Sequence, residues 1–298
     1  MQVSPSSRQP IRQAWTRERL LYERSVALGF AIDSTTASVY DSHLNSYITF
    51  CRLHQLSIDP TADTLSFYVV WLSHHIEPRS VDSYLSGIAN HLEDIYPSVR
   101  AACQSSLIAR TLRGCKRRMS KPVQRNLPLC VDDLNHARAA FGLTPDHDDS
   151  LFLALLFTGF ITLQRLGELT WPDALKHQSY QKVPLRHTLT ITPNSISYTL
   201  PHQKNDSLGT GMTILILSDS VTGLDPLPIV RHYLSYRDSA FAYRPALWLT
   251  SAGSVPTRSW FLHRLRAHCG RKMSGHSMRA GGTTALAIAG MTPDLIQA

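Results

Sequence analysis

The hydrophobic period of this chain changes once, and that change limits what it can fold into. Through residue 119 the apolar residues recur at three- and four-residue intervals, with almost no strand-like alternation. Tyr40, Leu44, Tyr47, Ile48 and Cys51 follow a Ser34-Thr35-Thr36 cap region, and Leu65, Val69, Leu72 and Ile76 form a second stripe. Val81, Leu85, Ile88, Leu92 and Ile95 form a third, just after Pro78. A fourth helix is expected over 101–119, apolar at Leu107, Ile108 and Leu112 and then basic. Pro60, Pro78 and Pro97 punctuate these segments, so residues 11–119 read as a helical bundle behind a disordered arm, 1–10. Between 120 and 130 the pattern lapses, because Lys121-Pro122 and Leu127-Pro128 each disfavour helix at the preceding residue. That stretch reads as an inter-domain linker.

The second half, 131–298, is mixed. A long apolar helix is expected from Asp149 to Leu169, and the period then falls to two. Leu189 and Ile191, a Thr192–Ser195 turn, Ile196, Tyr198 and Leu200, a turn over Lys204–Gly209, and Met212–Leu217 make a three-stranded antiparallel meander. Helices are expected again over 227–237, 257–269 and 276–289. The expected fold class is therefore mainly α: an N-terminal helical bundle plus an α+β domain with a small three-stranded antiparallel sheet. With 43% apolar and 17% charged residues over 298 positions, the composition is globular and supports two cores.

The net charge of +8 matters less than its placement. No acid occurs between Asp94 and Asp132, where Arg100, Arg110, Arg113, Lys116, Arg117, Arg118, Lys121 and Arg125 stand. None occurs between Asp238 and Asp294, where Arg244, Arg258, Arg264, Arg266, Arg271, Lys272 and Arg279 stand. One-signed blocks in a folded chain fit a surface that faces phosphates, although solvated basic faces give the same count. The five cysteines show no paired spacing, which argues against a disulfide framework or zinc module and for a reducing, intracellular setting. The first ten residues lack the apolar core of a signal peptide, and the apolar run from Leu151 to Leu163 is too short to span a bilayer. No membrane association, metal or cofactor is expected.

Three short motifs carry chemistry. Arg165-Leu166-Gly167-Glu168-Leu169 ends the apolar helix, where an arginine needs an anionic partner and Glu168, three residues on, can supply it. His276-Ser277-Met278-Arg279 opens a helix, with imidazole and guanidinium on one face of a turn whose free N–H groups favour anions. Lys204 stands in the turn between the second and third strands. Each alone has a bland reading: a helix-end ion pair, a capping histidine with a solvated arginine, a solvated turn lysine.

Taken in order, behind a helical bundle and a basic linker, the set resembles the tyrosine recombinase (phage integrase-like) family. In the wider form of its sequence the chain looks most like the recombinases of eukaryotic, particularly fungal, mobile elements. The resemblance spans residues 11–298 and implies a core-binding bundle (11–119), a linker (120–130) and a catalytic domain (131–298). It implies that Arg165 and Arg279 clamp the scissile phosphate, that His276 donates a hydrogen bond to it or shuttles a proton, and that Lys204 acts as general acid for the departing 5′ oxygen. Glu168 would orient Arg165. Duplex DNA is the implied partner, bound by a homo-oligomer, with Arg110, Arg113, Lys116, Arg117, Arg118, Lys121, Arg125, Arg264, Arg271 and Lys272 as further DNA contacts. A nuclear location follows if the source is eukaryotic. The family's Thr-Gly pair stands closer to its first arginine than Thr158-Gly159 does to Arg165, so these two are not assigned to the site.

The family's nucleophilic tyrosine should follow the second arginine, yet no tyrosine occurs after Tyr243. Thr292-Pro293 begins a helix that stops within two turns. The expectation is a fragment or truncated gene model, with a degenerate mobile-element copy as its rival. Such a chain binds DNA but forms no covalent adduct alone. The alternatives are a catalytically silent DNA-binding protein of the same descent and a non-enzymatic helical interaction protein. A type IB topoisomerase shares the chemistry but not the N-terminal bundle.

Overall fold

The computed structural model describes residues 13–123, 126–142, 145–203, 210–217 and 222–297. The expected 1–10 arm, Arg125, Lys204 and the 204–209 turn lie outside these. The chain divides into two compact units, 1–123 and 124–298.

The first unit is helical: α1 (Arg17–Gly29), α2 (Ser34–Leu53), α3 (Ala62–Ser73), α4 (Val81–Leu92), α5 (Val99–Cys103) and α6 (Ser106–Met119). The three expected stripes become one core, in which Tyr47, Leu65, Val69, Val81 and Ile88 are fully buried. The cap of α2 is Asp33, one residue before the expected region, because its carboxylate accepts the Thr35 N–H at 2.9 Å. The expected 101–119 helix is two helices. Gln104 and Ser105 interrupt it, and the Ser105 hydroxyl caps α6 by accepting the Ile108 N–H. Ile95 lies beyond the end of α4 and is exposed, so the third stripe stops at Leu92.

The second unit holds α7 (Val131–Ala140), α8 (His147–Ile161), α9 (Leu166–Leu169), strands β1 (Thr190–Ile191), β2 (Ser195–Leu200) and β3 (Met212–Leu217), then α10 (Leu227–Ala240), α11 (Arg258–Cys269), α12 (Gly275–Ile288) and α13 (Pro293–Gln297). The sheet is the expected antiparallel meander in the order β1-β2-β3, with Ile196 opposite Ile216 and Tyr198 opposite Ile214. Those four side chains face the core, as the alternation requires. Helix α8 is buried along nearly its whole length and forms the centre of this unit, with α10 and α12 packed on it. No helix among the described residues is long and apolar enough to cross a membrane.

Arg237, on α10, is fully buried, and its guanidinium donates to the Ala246 and Arg244 carbonyls and to Asp238 Oδ1. Asp238 also takes three bonds from Arg186, at 2.9, 3.3 and 2.7 Å, and Arg186 above all holds its carboxyl below the usual carboxylate range. A depressed carboxyl contributes stability above its unfolded pKa of about 3.9, and that contribution is lost as pH falls through the folded value. Asp238→Asn should therefore cost about 1–2 kcal/mol near neutrality, discounted for the half-exposed carboxylate, with the difference vanishing in strong acid. Thermal melting of both proteins across acid pH checks this; equal melting at neutral pH would contradict it.

Candidate active site

The apolar helix expected to run through Leu169 stops at Ile161. Leu163 takes a left-handed backbone (φ 55°) that ends α8, and Arg165 becomes the N-cap of the short helix α9. A leucine in this region is held there by its surroundings, since the conformation costs about 1–2 kcal/mol. The buried Gln164 supplies one restraint: its Oε1 accepts the Tyr198 hydroxyl at 2.6 Å and the Thr162 hydroxyl at 3.2 Å. The turn before Arg165 is thus pinned to the middle of β2. Burial pushes the Tyr198 phenol well above its ordinary pKa, so it stays a neutral donor.

Glu168 is the third residue of α9 and faces back to the cap. One carboxylate oxygen accepts the Arg165 backbone N–H at 2.8 Å, and the other accepts Arg165 Nη1 at 3.1 Å. The Glu168 side chain is 10% exposed and that of Arg165 30%. The expected ion pair therefore exists, but across a capping turn rather than along one helix. Glu168 fixes the backbone and the guanidinium of the same residue, which is an orienting arrangement.

The start of α12 comes to the same place. Ser274 caps it, and a reciprocal Ser274–Ser277 box, with Ser277 Oγ accepting the Ser274 N–H at 3.0 Å, fixes the first turn. Gly275 lies so close to α9 that a Cβ there would come within 2.9 Å of the Leu166 side chain. Met278 is buried against Gly159 of α8. Further along, Gly281 abuts the Leu129 backbone and Gly282 the Phe160 carbonyl, so α12 approaches α8 at backbone distance. The adjoining residues, Arg165 on one side and His276 on the other, flank the Leu166–Gly275 contact. Arg279 follows one turn later on the His276 face. His276 is exposed and Arg279 half-buried, and among the described residues neither has an acid within ion-pair distance. The structure joins Arg165 to Glu168 and brings their helix against the start of α12, where His276 stands and Arg279 follows. Thr158, fully buried in α8, is not part of it.

The expected DNA contacts divide. On α6, Ile108, Leu112 and Cys115 face the core, while Arg110, Arg113 and Arg117, at helical spacing, form an exposed stripe with Arg118 and Lys121 nearby. Lys116 instead pairs with Asp82 at 2.5 Å. Arg271 and Lys272 are exposed in the connection between α11 and α12. Arg264 bonds Asp149 at 2.8 Å, approaches Asp148 at 3.7 Å and lies over the Trp260 ring, so it ties α11 to the start of α8. The positioning roles of Gln164 and Gly275 were missed in the sequence; a Ser-x-x-Ser capping pattern before His276 was the available signal for the latter.

No protein-family model matches the sequence, and no curated protein matches it. Solved structures do match. The XerH site-specific recombinase bound to its difH substrate in a pre-cleavage complex aligns at TM-score 0.53 and 13% identity, over 88% of this chain and 70% of that one. The Tn1549 transposon integrase in complex with circular intermediate DNA aligns at TM-score 0.55 and 15% identity, over 93% and 89%. The chain shares its fold with these DNA-bound recombinase and integrase structures. A lambda integrase tetramer bound to a Holliday junction gives the same result, with TM-score 0.53 and 15% identity over 94% of this chain and 72% of that one. At these identities the likeness concerns the recombinase fold, and the chemistry rests on the residues just described.

Proposed function

We propose that this chain binds duplex DNA and grips a backbone phosphate as a site-specific recombinase or integrase of the tyrosine type does. The observation that supports the proposal is the meeting of α9 and the start of α12 at Leu166 and Gly275, the neighbours of Arg165 and His276 in the chain. Two guanidiniums suit a phosphoryl-transfer site because they donate in a planar fork and keep their charge. In that reaction a tyrosine oxygen attacks the phosphorus, a 3′-phosphotyrosyl bond forms, and the 5′ oxygen leaves with a proton. Arg165 and Arg279 would hold the non-bridging oxygens as their charge grows, His276 would donate to one of them, and Lys204 would supply the proton to the leaving group.

Neither buried tyrosine near this site is available as the nucleophile. Tyr198 and Tyr233 are fully buried, with hydroxyls spent on Gln164 and on the Leu247 and Leu249 backbone, and burial pushes both phenols up. No tyrosine occurs after Tyr243. These 298 residues by themselves are accordingly proposed to bind DNA without forming a covalent adduct. Affinity for a short duplex should fall steeply between about 50 and 200 mM salt, and nicked duplex should yield no denaturation-resistant adduct. A flat salt response would favour the interaction-protein reading, and an adduct would refute the missing nucleophile.

A further inference from the structure

Arg258 is the first residue of α11 and had no role in the site assembled above. Its position is fixed from both sides. Its backbone N–H donates to the Trp171 carbonyl at 2.8 Å, and Trp171 pairs with Thr257 in a short parallel bridge, which ties the start of α11 to the segment leaving α9. The next amide, that of Ser259, donates to Asp173 at 3.0 Å, and the Thr257 hydroxyl caps the helix by accepting from Trp260. From this anchored backbone the guanidinium reaches toward α12, its Nη1 lying 3.5 Å from where a Gly275 Cβ would stand. A side chain at 275 would crowd both Leu166 and Arg258, so glycine there admits all three.

Several arginines of this unit are engaged: Arg237 and Arg186 on Asp238, Arg264 on Asp148 and Asp149, Arg266 on the Met273 carbonyl. Arg258 is exposed, and among the described residues no acid lies within ion-pair distance of it. Asp173 is near: the Ser259 amide above all, with a smaller pull from Arg258, holds its carboxyl below the usual carboxylate range, while its backbone hydrogen bond comes from Ser259. An anchored, exposed guanidinium next to Gly275, which precedes His276 and packs on the Arg165 helix, is placed for an anion that extends past the grip of those residues. A nucleic-acid backbone is such an anion, since its phosphates repeat along each strand.

We propose that Arg258 holds a DNA phosphate next to the one gripped by Arg165 and Arg279, and so adds to backbone affinity without reading sequence. This rests on the DNA-binding reading above. The experiment measures affinity of the whole chain for several unrelated short duplexes across salt, for the wild type, Arg258→Ala and Arg258→Lys. Arg258→Ala should weaken binding about tenfold on every duplex and lower the salt slope by about one, while Arg258→Lys keeps the slope. Arg258 is exposed, so its truncation leaves the core intact; Arg258→Gln serves the same test if the alanine variant melts early. Unchanged affinity and slope in Arg258→Ala, while Arg165→Ala weakens binding, would overturn the role of Arg258 and leave the DNA reading standing. A loss confined to one duplex sequence would overturn it too, by showing base readout. Failure of the wild type to bind any duplex would overturn the underlying reading itself.

Discussion

Gly282→Ala is expected to unfold or strongly destabilise the second unit. A Cβ at this position would lie 2.0 Å from the Phe160 carbonyl oxygen and 2.6 Å from the Leu163 side chain. Gly281→Ala meets the Leu129 carbonyl at 2.1 Å. Both obstacles include backbone, so no rotamer change relieves them, and α12 would have to leave α8 and uncover Met278. A cost of about 3 kcal/mol or more follows, or a fall of roughly 6–12 °C in the melting of a domain this size. Gly114 is the internal comparison. It sits exposed in the middle of α6 with nothing within 4 Å of a built Cβ, so Gly114→Ala should stabilise its helix by about 0.5–1 kcal/mol. Wild-type melting of Gly282→Ala, followed by circular dichroism, would contradict the close packing that sets His276 beside α9.

Arg165→Ala and Arg279→Ala should each weaken DNA binding by about 10- to 100-fold, the worth of a lost charge-assisted contact of roughly 1.5–3 kcal/mol. The two are not equivalent. Removing the Arg165 side chain leaves the nearly buried Glu168 carboxylate without its cation, held only by the Arg165 backbone N–H. Arg165→Ala should therefore be the worse variant, and adding Glu168→Gln should restore part of the affinity. No comparable rescue is expected for Arg279→Ala, which has no acid within ion-pair distance among the described residues. Binding titrations at one fixed salt concentration read this non-additivity directly. Strict additivity of Arg165→Ala and Glu168→Gln would show that Glu168 does not act through Arg165.

Much of this was legible in the sequence because it rests on local pattern. Alternation at Ile196, Tyr198 and Leu200 gave β2 with the right residues inward, and the stripes at Leu65–Leu72 and Val81–Leu92 gave α3 and α4. The Arg165–Glu168 pairing was legible as a spacing. What stayed hidden depends on distant partners. Nothing in an unbroken apolar run announces that Leu163 turns left-handed, since that turn is held by Gly282 and by the bond from Tyr198 to Gln164. Helix α7 was not anticipated; its capping box, in which Asp133 accepts the Cys130 N–H, follows directly on the linker. Arg264 looked like its basic neighbours, and only the fold delivers Asp149 to it from 115 residues away. Arg258 was one cation among seven until Gly275 placed it beside α12.

Whether Arg165 and Arg279 grip one particular phosphate is tested most directly by replacing single phosphates with neutral methylphosphonates in a duplex that the chain itself selects from random sequence. If they do, one position should cost the wild type about tenfold or more in affinity while Arg165→Ala and Arg279→Ala lose little further there, because the contact is already gone. If every methylphosphonate weakens the wild type and both variants by the same factor, the two arginines hold no common phosphate, and the site described here is not a phosphoryl-transfer site.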